Sequence, residues 1–230
     1  MKLKWLGQGG FLLWDERHQI CIDPYLSDAV QRIAGRARLR PAPVKPDDLA
    51  ADIVICTHNH PDHLDIDAIP AMDLEHLVFL APKACEAPLR ELGVRHYQGF
   101  DVGETFSLGA FKLEAVFADH TVPAIGVLLQ HGATTVYFSG DTLYHPRLEA
   151  LKQRGIDLMM ICINGRLGNM NAEEAARLTE IIRPKTAVPC HYDLLAGNTA
   201  DPQSYTALLS GGIGRILQYN TEYEVEGCLI

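Results

Sequence analysis

Four side chains able to bind a metal ion stand within six positions at His58-x-His60-x-Asp62-His63. Three imidazoles and a carboxylate this close cannot all point one way from a regular helix or strand. In a tight turn, alternate residues diverge and can face two neighbouring cations, and Pro61 would stiffen such a turn by fixing its own φ. A solvated His-rich loop with one histidine at a helix cap is the plain alternative. The wider sequence argues against it, because three more ligand-type residues follow apolar, strand-like runs: His120 in Ala118-Asp119-His120, Asp141 in Ser139-Gly140-Asp141-Thr142, and His191 in Pro189-Cys190-His191-Tyr192-Asp193. All of these offer nitrogen or oxygen and none a thiolate, a set that suits Zn²⁺, Mn²⁺ or Fe²⁺. Cys190 alternates away from His191 along its strand and is expected in the core.

The elements that must position these residues can be traced from periodicity. Strands are expected at Leu3–Leu6, Phe11–Trp14 and Gln19–Asp23, then an irregular stretch from Leu26 to Asp48, then strands at Asp52–Thr57 and Leu77–Ala81. The metal-binding run follows the Asp52–Thr57 strand, and a helix is expected after it. Another helix fits Lys83–Leu92, where Cys85, Leu89 and Leu92 share a face. Strands at Thr105–Leu108, Phe111–Phe117, Ile125–Gln130 and Thr134–Ser139 are punctuated by Gly103, Gly109 and His131-Gly132. Thereafter helices (Pro146–Arg154, Ala172–Ile182, and one near Pro202–Leu209) alternate with strands (Leu158–Ile163 and Thr186–Pro189). Terminal strands are expected near Arg215–Gln218 and Glu222–Glu226. Periodicity alone supports a mixed α/β domain over residues 1–230. Every ligand-type residue falls just past a strand, where α/β proteins place their sites.

The HxHxDH run, with a distal His, a distal Asp and a C-terminal His, resembles the metallo-β-lactamase fold superfamily over nearly the whole chain. That resemblance implies a four-layer αββα sandwich and two divalent cations. One would be held by His58, His60 and His120 and the other by Asp62, His63 and His191, with Asp141 bridging both through its two oxygens. Two neighbouring cations can share a water and lower its pKa from about 15.7 toward neutrality, so that it attacks as hydroxide. Asp62 is either a ligand alone or also takes the proton. The segments Asp141-Thr142-Leu143-Tyr144, Asn164–Met170, Pro189–Asp193 and Ala196–Pro202 look like the branch containing L-ascorbate-6-phosphate lactonase. This implies hydrolysis of a small ester, a lactone and one that could be phosphorylated. A phosphodiesterase or nuclease of the same superfamily is the alternative, and a non-catalytic metal-binding protein a further one, because one scaffold hosts many chemistries.

Around the ligands, Asp65, Asp119 and Asp193 are each near enough in sequence to receive the second ring N–H of a ligating histidine; Asp65 could equally cap the expected helix. Arg166, Asn169 and Tyr192 are candidates to touch substrate. Against that, Arg166 could pair with a local carboxylate and Asn169 could cap the Ala172–Ile182 helix. His18, His76, His96, His131 and His145 lack ligand spacing. The stretch from Arg32 to Arg40 is the one dense positive run and could clamp an anionic small-molecule substrate, form part of a homo-oligomer contact, or simply be solvated. A net charge of −9 argues against nucleic acid and anionic membrane as partners. Six cysteines without a CxxC pair, several inside apolar runs, read as buried reduced thiols. With no leader-like or membrane-spanning run, a cytoplasmic location is expected.

Overall fold

The computed structural model describes residues 1–227. Its first sheet is built from β1 (Lys2–Gly7), β2 (Gly10–Trp14), β3 (Gln19–Ile22), β4 (Ile53–Ile55), β5 (Val78–Ala81) and β6 (His96–Gly99), hydrogen-bonded in that order. The second sheet contains β7 (Thr105–Leu108), β8 (Phe111–Phe117), β9 (Ile125–His131), β10 (Thr134–Phe138), β11 (Leu158–Cys162) and β12 (Thr186–Cys190), again in sequence order. The last strand, β13 (Glu222–Glu224), returns antiparallel to the free edge of β1.

Alternation along the strands explains the layering. In and after β4, Ile53 and Ile55 enter the cluster between the sheets, while Val54 and Cys56 enter a second cluster behind the first sheet. In β5, Leu80 joins the first cluster and Phe79 and Ala81 the second. Strands buried on both faces need cover on both faces. On the outer side of the second sheet that cover is α3 (Ala172–Ile182), which starts at an Asn171–Glu174 capping box and buries Ala175, Ala176, Leu178 and Ile182. Behind the first sheet the cover is thinner: the helix α2 (Glu86–Glu91) and short 3₁₀ turns. The result is the four-layer α/β sandwich with a metallo-β-lactamase fold.

Several elements differ from expectation. The helix expected after the metal-binding run is only a short 3₁₀ turn, Ile69–Ala71, led in by Asp65, whose Oδ1 accepts from the N–H groups of Asp67 and Ala68 as a cap does. A single turn, in which the N–H groups of His63 and Leu64 both donate to the His60 carbonyl at 2.9 and 2.8 Å, gives way to Asp65. The Lys83–Leu92 helix is 3₁₀ over Lys83–Cys85 before becoming α2, because Pro88 has no N–H to donate to the Ala84 carbonyl. Pro146–Arg154 is likewise 3₁₀. The irregular stretch contains a short helix, α1 (Ala29–Ala34), and β6 was not expected. Near Arg215–Gln218 there is only an isolated bridge, between Gly214 and Ala187 on the edge of β12. The helix near Pro202 is short, α4 (Pro202–Thr206).

Direction matters most for the site. Strands β3 to β6 run parallel, as do β10 to β12, and β8 points the same way as β10 because both are antiparallel to β9. The sheets are joined at this end, where Ile125 N–H donates to the Thr57 carbonyl at 3.1 Å and His191 N–H to the Gln8 carbonyl at 2.9 Å. Cys21, Cys56, Cys85, Cys162 and Cys190 are buried free thiols; Cys228 lies outside the described residues. Among the described residues no helix is long and apolar enough to cross a membrane.

Candidate metal centre

The strand ends deliver the seven ligand-type side chains to one place. His58, His60, Asp62 and His63 follow β4, His120 follows β8, Asp141 follows β10 and His191 follows β12. They form two groups, His58, His60, His120 and Asp141 in one and Asp62, His63 and His191 in the other. Within each group the ligand atoms lie within 4.8 Å of one another. Asp141 faces both: its Oδ2 is 3.9 Å from His120 Nε2, and its Oδ1 is 3.2 Å from His63 Nε2 and 3.1 Å from His191 Nε2.

Whether these residues fit a cation is decided by where their lone pairs go. Asp23 Oδ2, which can only accept, is 2.7 Å from His63 Nδ1; the proton is therefore on Nδ1 and Nε2 is left to face Asp141 and His191. The Gly168 carbonyl, 3.0 Å from His120 Nδ1, fixes that ring in the same sense. Ring nitrogens then confront one another at 3.0 Å (His58 Nε2 to His60 Nδ1), 3.1 Å (His60 Nδ1 to His120 Nε2) and 3.4 Å (His63 Nε2 to His191 Nε2). Asp141 Oδ1 is buried and, despite its short distances, accepts no well-directed hydrogen bond. Lone-pair atoms crowded this closely, with Asp141 Oδ1 left unsatisfied between the two groups, are what a cation on each side of Asp141 would satisfy.

Protons would otherwise have to relieve this crowding. Burial, then the charge of His63, holds the pKa of His58 well below the ordinary histidine value, and burial with His120 lowers that of His60. At His63 burial also opposes charge, but Asp141, Asp23 and Asp62 outweigh it and hold the pKa well up. Burial is overcome similarly at Asp141, where His191 and His63 keep the carboxyl far below the usual carboxylate range.

The supporting residues differ from those expected. Asp65 accepts from the backbone N–H groups of Leu26, Ser27, Asp67 and Ala68, tying two loops together rather than orienting a histidine. Asp193 pairs with Arg40, and Asp119 contributes its backbone, N–H to Thr142 Oγ1 and C=O to Leu143 N–H. The residues that do touch the ligands are Asp23, Thr57 (Oγ1 3.1 Å from His58 Nδ1) and Gln8, whose Nε2 donates to Asp62 Oδ2 at 3.0 Å. Asp23 ends β3 as an Asp-Pro pair, which resembles turn punctuation; only the parallel pairing of β3 with β4 brings it to Thr57. Gln8 was hidden in a glycine-rich hairpin turn. One of its neighbours, Gly9, has a stronger reason to be glycine, since a Cβ there would lie 3.0 Å from His63 Cε1.

The centre opens into a cleft of about 320 Å³ reached by His60, Asp62, Asp141 and His191. Of the expected substrate contacts, Tyr192 is buried against Trp5 and does not line this cleft. Asn169 is also buried and donates to Asn164 Oδ1 at 2.9 Å; the cap of α3 is Asn171. Arg166 donates to the Gly197 carbonyl at 2.9 Å instead of pairing with a carboxylate. Its neighbour Leu167 lines the cleft.

Comparison with known proteins agrees with this architecture. The profile of the family described as "Beta-lactamase superfamily domain" matches residues 18–192. A Pyrococcus furiosus protein of the UPF0173 family is 29% identical, the match covering 89% of each chain. An Oenococcus oeni protein named as a UPF0173 metal-dependent hydrolase is 28% identical over 97% of this chain and 100% of its own. The solved structure of a metallo hydrolase from Ignicoccus hospitalis, 21% identical, superposes with a TM-score of 0.79 over 98% of this chain and 99% of that one, a likeness of fold. With its ligand residues gathered at the strand ends and its profile match spanning most of its length, the chain belongs to the beta-lactamase superfamily, among relatives described as metal-dependent hydrolases.

Proposed function

We propose that this protein is a binuclear metal-dependent hydrolase acting on a small carboxylic ester, with lactones as the first class to test. The observation that carries the reading is Asp141, whose two oxygens face two separate groups of ligand atoms. His58, His60 and His120 would hold one divalent cation and Asp62, His63 and His191 the other, with Zn²⁺ and Mn²⁺ as leading identities and Fe²⁺ also suited to the donors. The cations, when bound, supply Lewis acidity and acidify a water in their shared field.

The chain's own residues orient and exclude. Asp23 and Gly168 fix the tautomers of His63 and His120, and Gln8 holds Asp62 by its Oδ2. Asp62 lines the cleft and its Oδ1 makes no hydrogen bond among the described residues, so we assign that oxygen the proton released as the ester is attacked. Apolar walls from Val30, Ile33, Leu167 and Leu195 offer hydrocarbon surface to the body of a small ester. A compact, mostly apolar cleft in a chain of net charge −9 favours a small ester over a nucleic-acid phosphodiester. The buried free thiols are consistent with work in the cytoplasm.

The test is a screen of metal-loaded protein against lactones, simple phosphodiesters and RNA in parallel. Lactone opening that stops on chelation and resumes with added metal is expected. Phosphodiester cleavage with no lactone turned over would replace this reading with the phosphodiesterase one, and no turnover of any kind would favour a binding protein.

A further inference from the structure

The basic run sorts into separate tasks once its partners are known. Arg32 forms an ion pair with Asp67. Arg38 donates to the carbonyls of Tyr25 and Ser27 and lies over the Tyr25 ring. Arg40 pairs with Asp193 and lies over Tyr219. These three fasten α1 and the loop after it to the body of the protein. Arg36 is different. It has no hydrogen bond or ion pair among the described residues, it is half-buried, and it is the one lysine or arginine lining the cleft of the metal centre.

Arg36 is also held in place by its backbone. Ala196 N–H donates to the Ala37 carbonyl at 2.9 Å and Leu39 N–H to the Leu194 carbonyl at 2.7 Å, so the segment bearing Arg36 is laced to the 194–198 loop. That loop brings Asn198 to the same cleft. A chain of amides orients it: Asn169 Nδ2 donates to Asn164 Oδ1 at 2.9 Å, and Asn164 Nδ2 donates to Asn198 Oδ1 at 2.8 Å. With its oxygen turned to Asn164, Asn198, which lines the cleft, is left with an Nδ2 that donates to no other residue among those described. An unpaired guanidinium and an oriented amide N–H₂ on one otherwise apolar wall form a receptor for oxygen anions, preorganised so that little freedom is lost on binding.

We propose that Arg36 and Asn198 read an anionic substituent, a carboxylate or a phosphate, on a small ester whose apolar body spans the cleft to the metal centre. The inference rests on the reading of that cleft as an ester-hydrolase site, and it narrows the substrate class to esters carrying a second anionic group. The two anions share the chemistry of recognition; the experiment separates them.

The experiment is calorimetric titration of Zn²⁺-loaded protein with the dicarboxylates from succinate to suberate, the monocarboxylates of matching length, and monocarboxylates bearing a terminal phosphate. One carboxylate serves the metals in every probe, so only the far group varies. At one chain length the dicarboxylate or the terminal phosphate is expected to bind about tenfold tighter than the monocarboxylate. The tighter of the two identifies the natural substituent. Arg36→Gln should abolish the preference while leaving the monocarboxylate affinity unchanged, and Arg36→Lys should keep part of it. Because Arg36 bonds to no other residue, neither variant should shift the melting temperature. Equal affinity for one and two anionic groups at every length, or a preference that survives Arg36→Gln, would overturn the proposal. Binding needs no turnover, so a failed lactone screen leaves this test intact, and lactone hydrolysis without the preference defeats this inference alone.

Discussion

Asp141 gives one oxygen to each half of the centre, so removing its charge while keeping its shape is informative. On the binuclear reading proposed above, Asp141→Asn is expected to lower bound metal from two equivalents to one or none, counted by plasma mass spectrometry on folded protein. The supporting carboxylates can be told apart by a pair of substitutions. Asp23→Ala leaves His63 Nδ1 without its acceptor and should weaken metal affinity by about 10–100-fold in a chelator competition. Asp193→Asn, which removes the charge paired with Arg40 and suits the left-handed φ of +57°, should leave metal affinity unchanged. Asp193 was the more visible choice in the sequence, two residues from His191. Asp23 lies 40 residues from His63, and adjacency in sequence carries no information about which carboxylate a ring will meet across two parallel strands.

At the scale of elements, the apolar runs were legible because burial on both faces leaves an unbroken hydrophobic signature, and α3 because its buried positions repeat at helical spacing. The ends of those runs located every ligand-type residue. What escaped were pieces stabilised by tertiary contact rather than by their own pattern. In α1 only Ala29 and Val30 are buried, too few to show a period, and the helix is held against the cleft by its neighbours. The loop after β11 is similar: Gly168 adopts φ +90°, and a Cβ there would meet His120 Nδ1 at 2.8 Å. Gly168→Ala should therefore cost about 1–3 kcal/mol in urea unfolding and weaken metal binding as well. Asn171→Ala removes the α3 capping box at a distance from the ligands. It should cost about 1 kcal/mol with metal content unchanged.

For the whole molecule, the centre ties both sheets together and so links stability to metal and to pH. Burial disfavours charge on His191, but Asp141 and Asp62 prevail and push its pKa up to about 9, from 6.5 in an unfolded chain. A raised folded-state value contributes stability that is complete below pH 6.5 and is lost as pH climbs through about 9. Metal-free protein should accordingly unfold at lower urea concentration as pH rises across that window. Metal-loaded protein should resist this loss, since the cations take the place of the protons. The most direct test of the central claim is anomalous diffraction from crystals of the metal-loaded protein. Two peaks are predicted, one among His58, His60 and His120 and one among Asp62, His63 and His191, each in contact with a different oxygen of Asp141. A single peak, or two that Asp141 does not touch, would contradict the account.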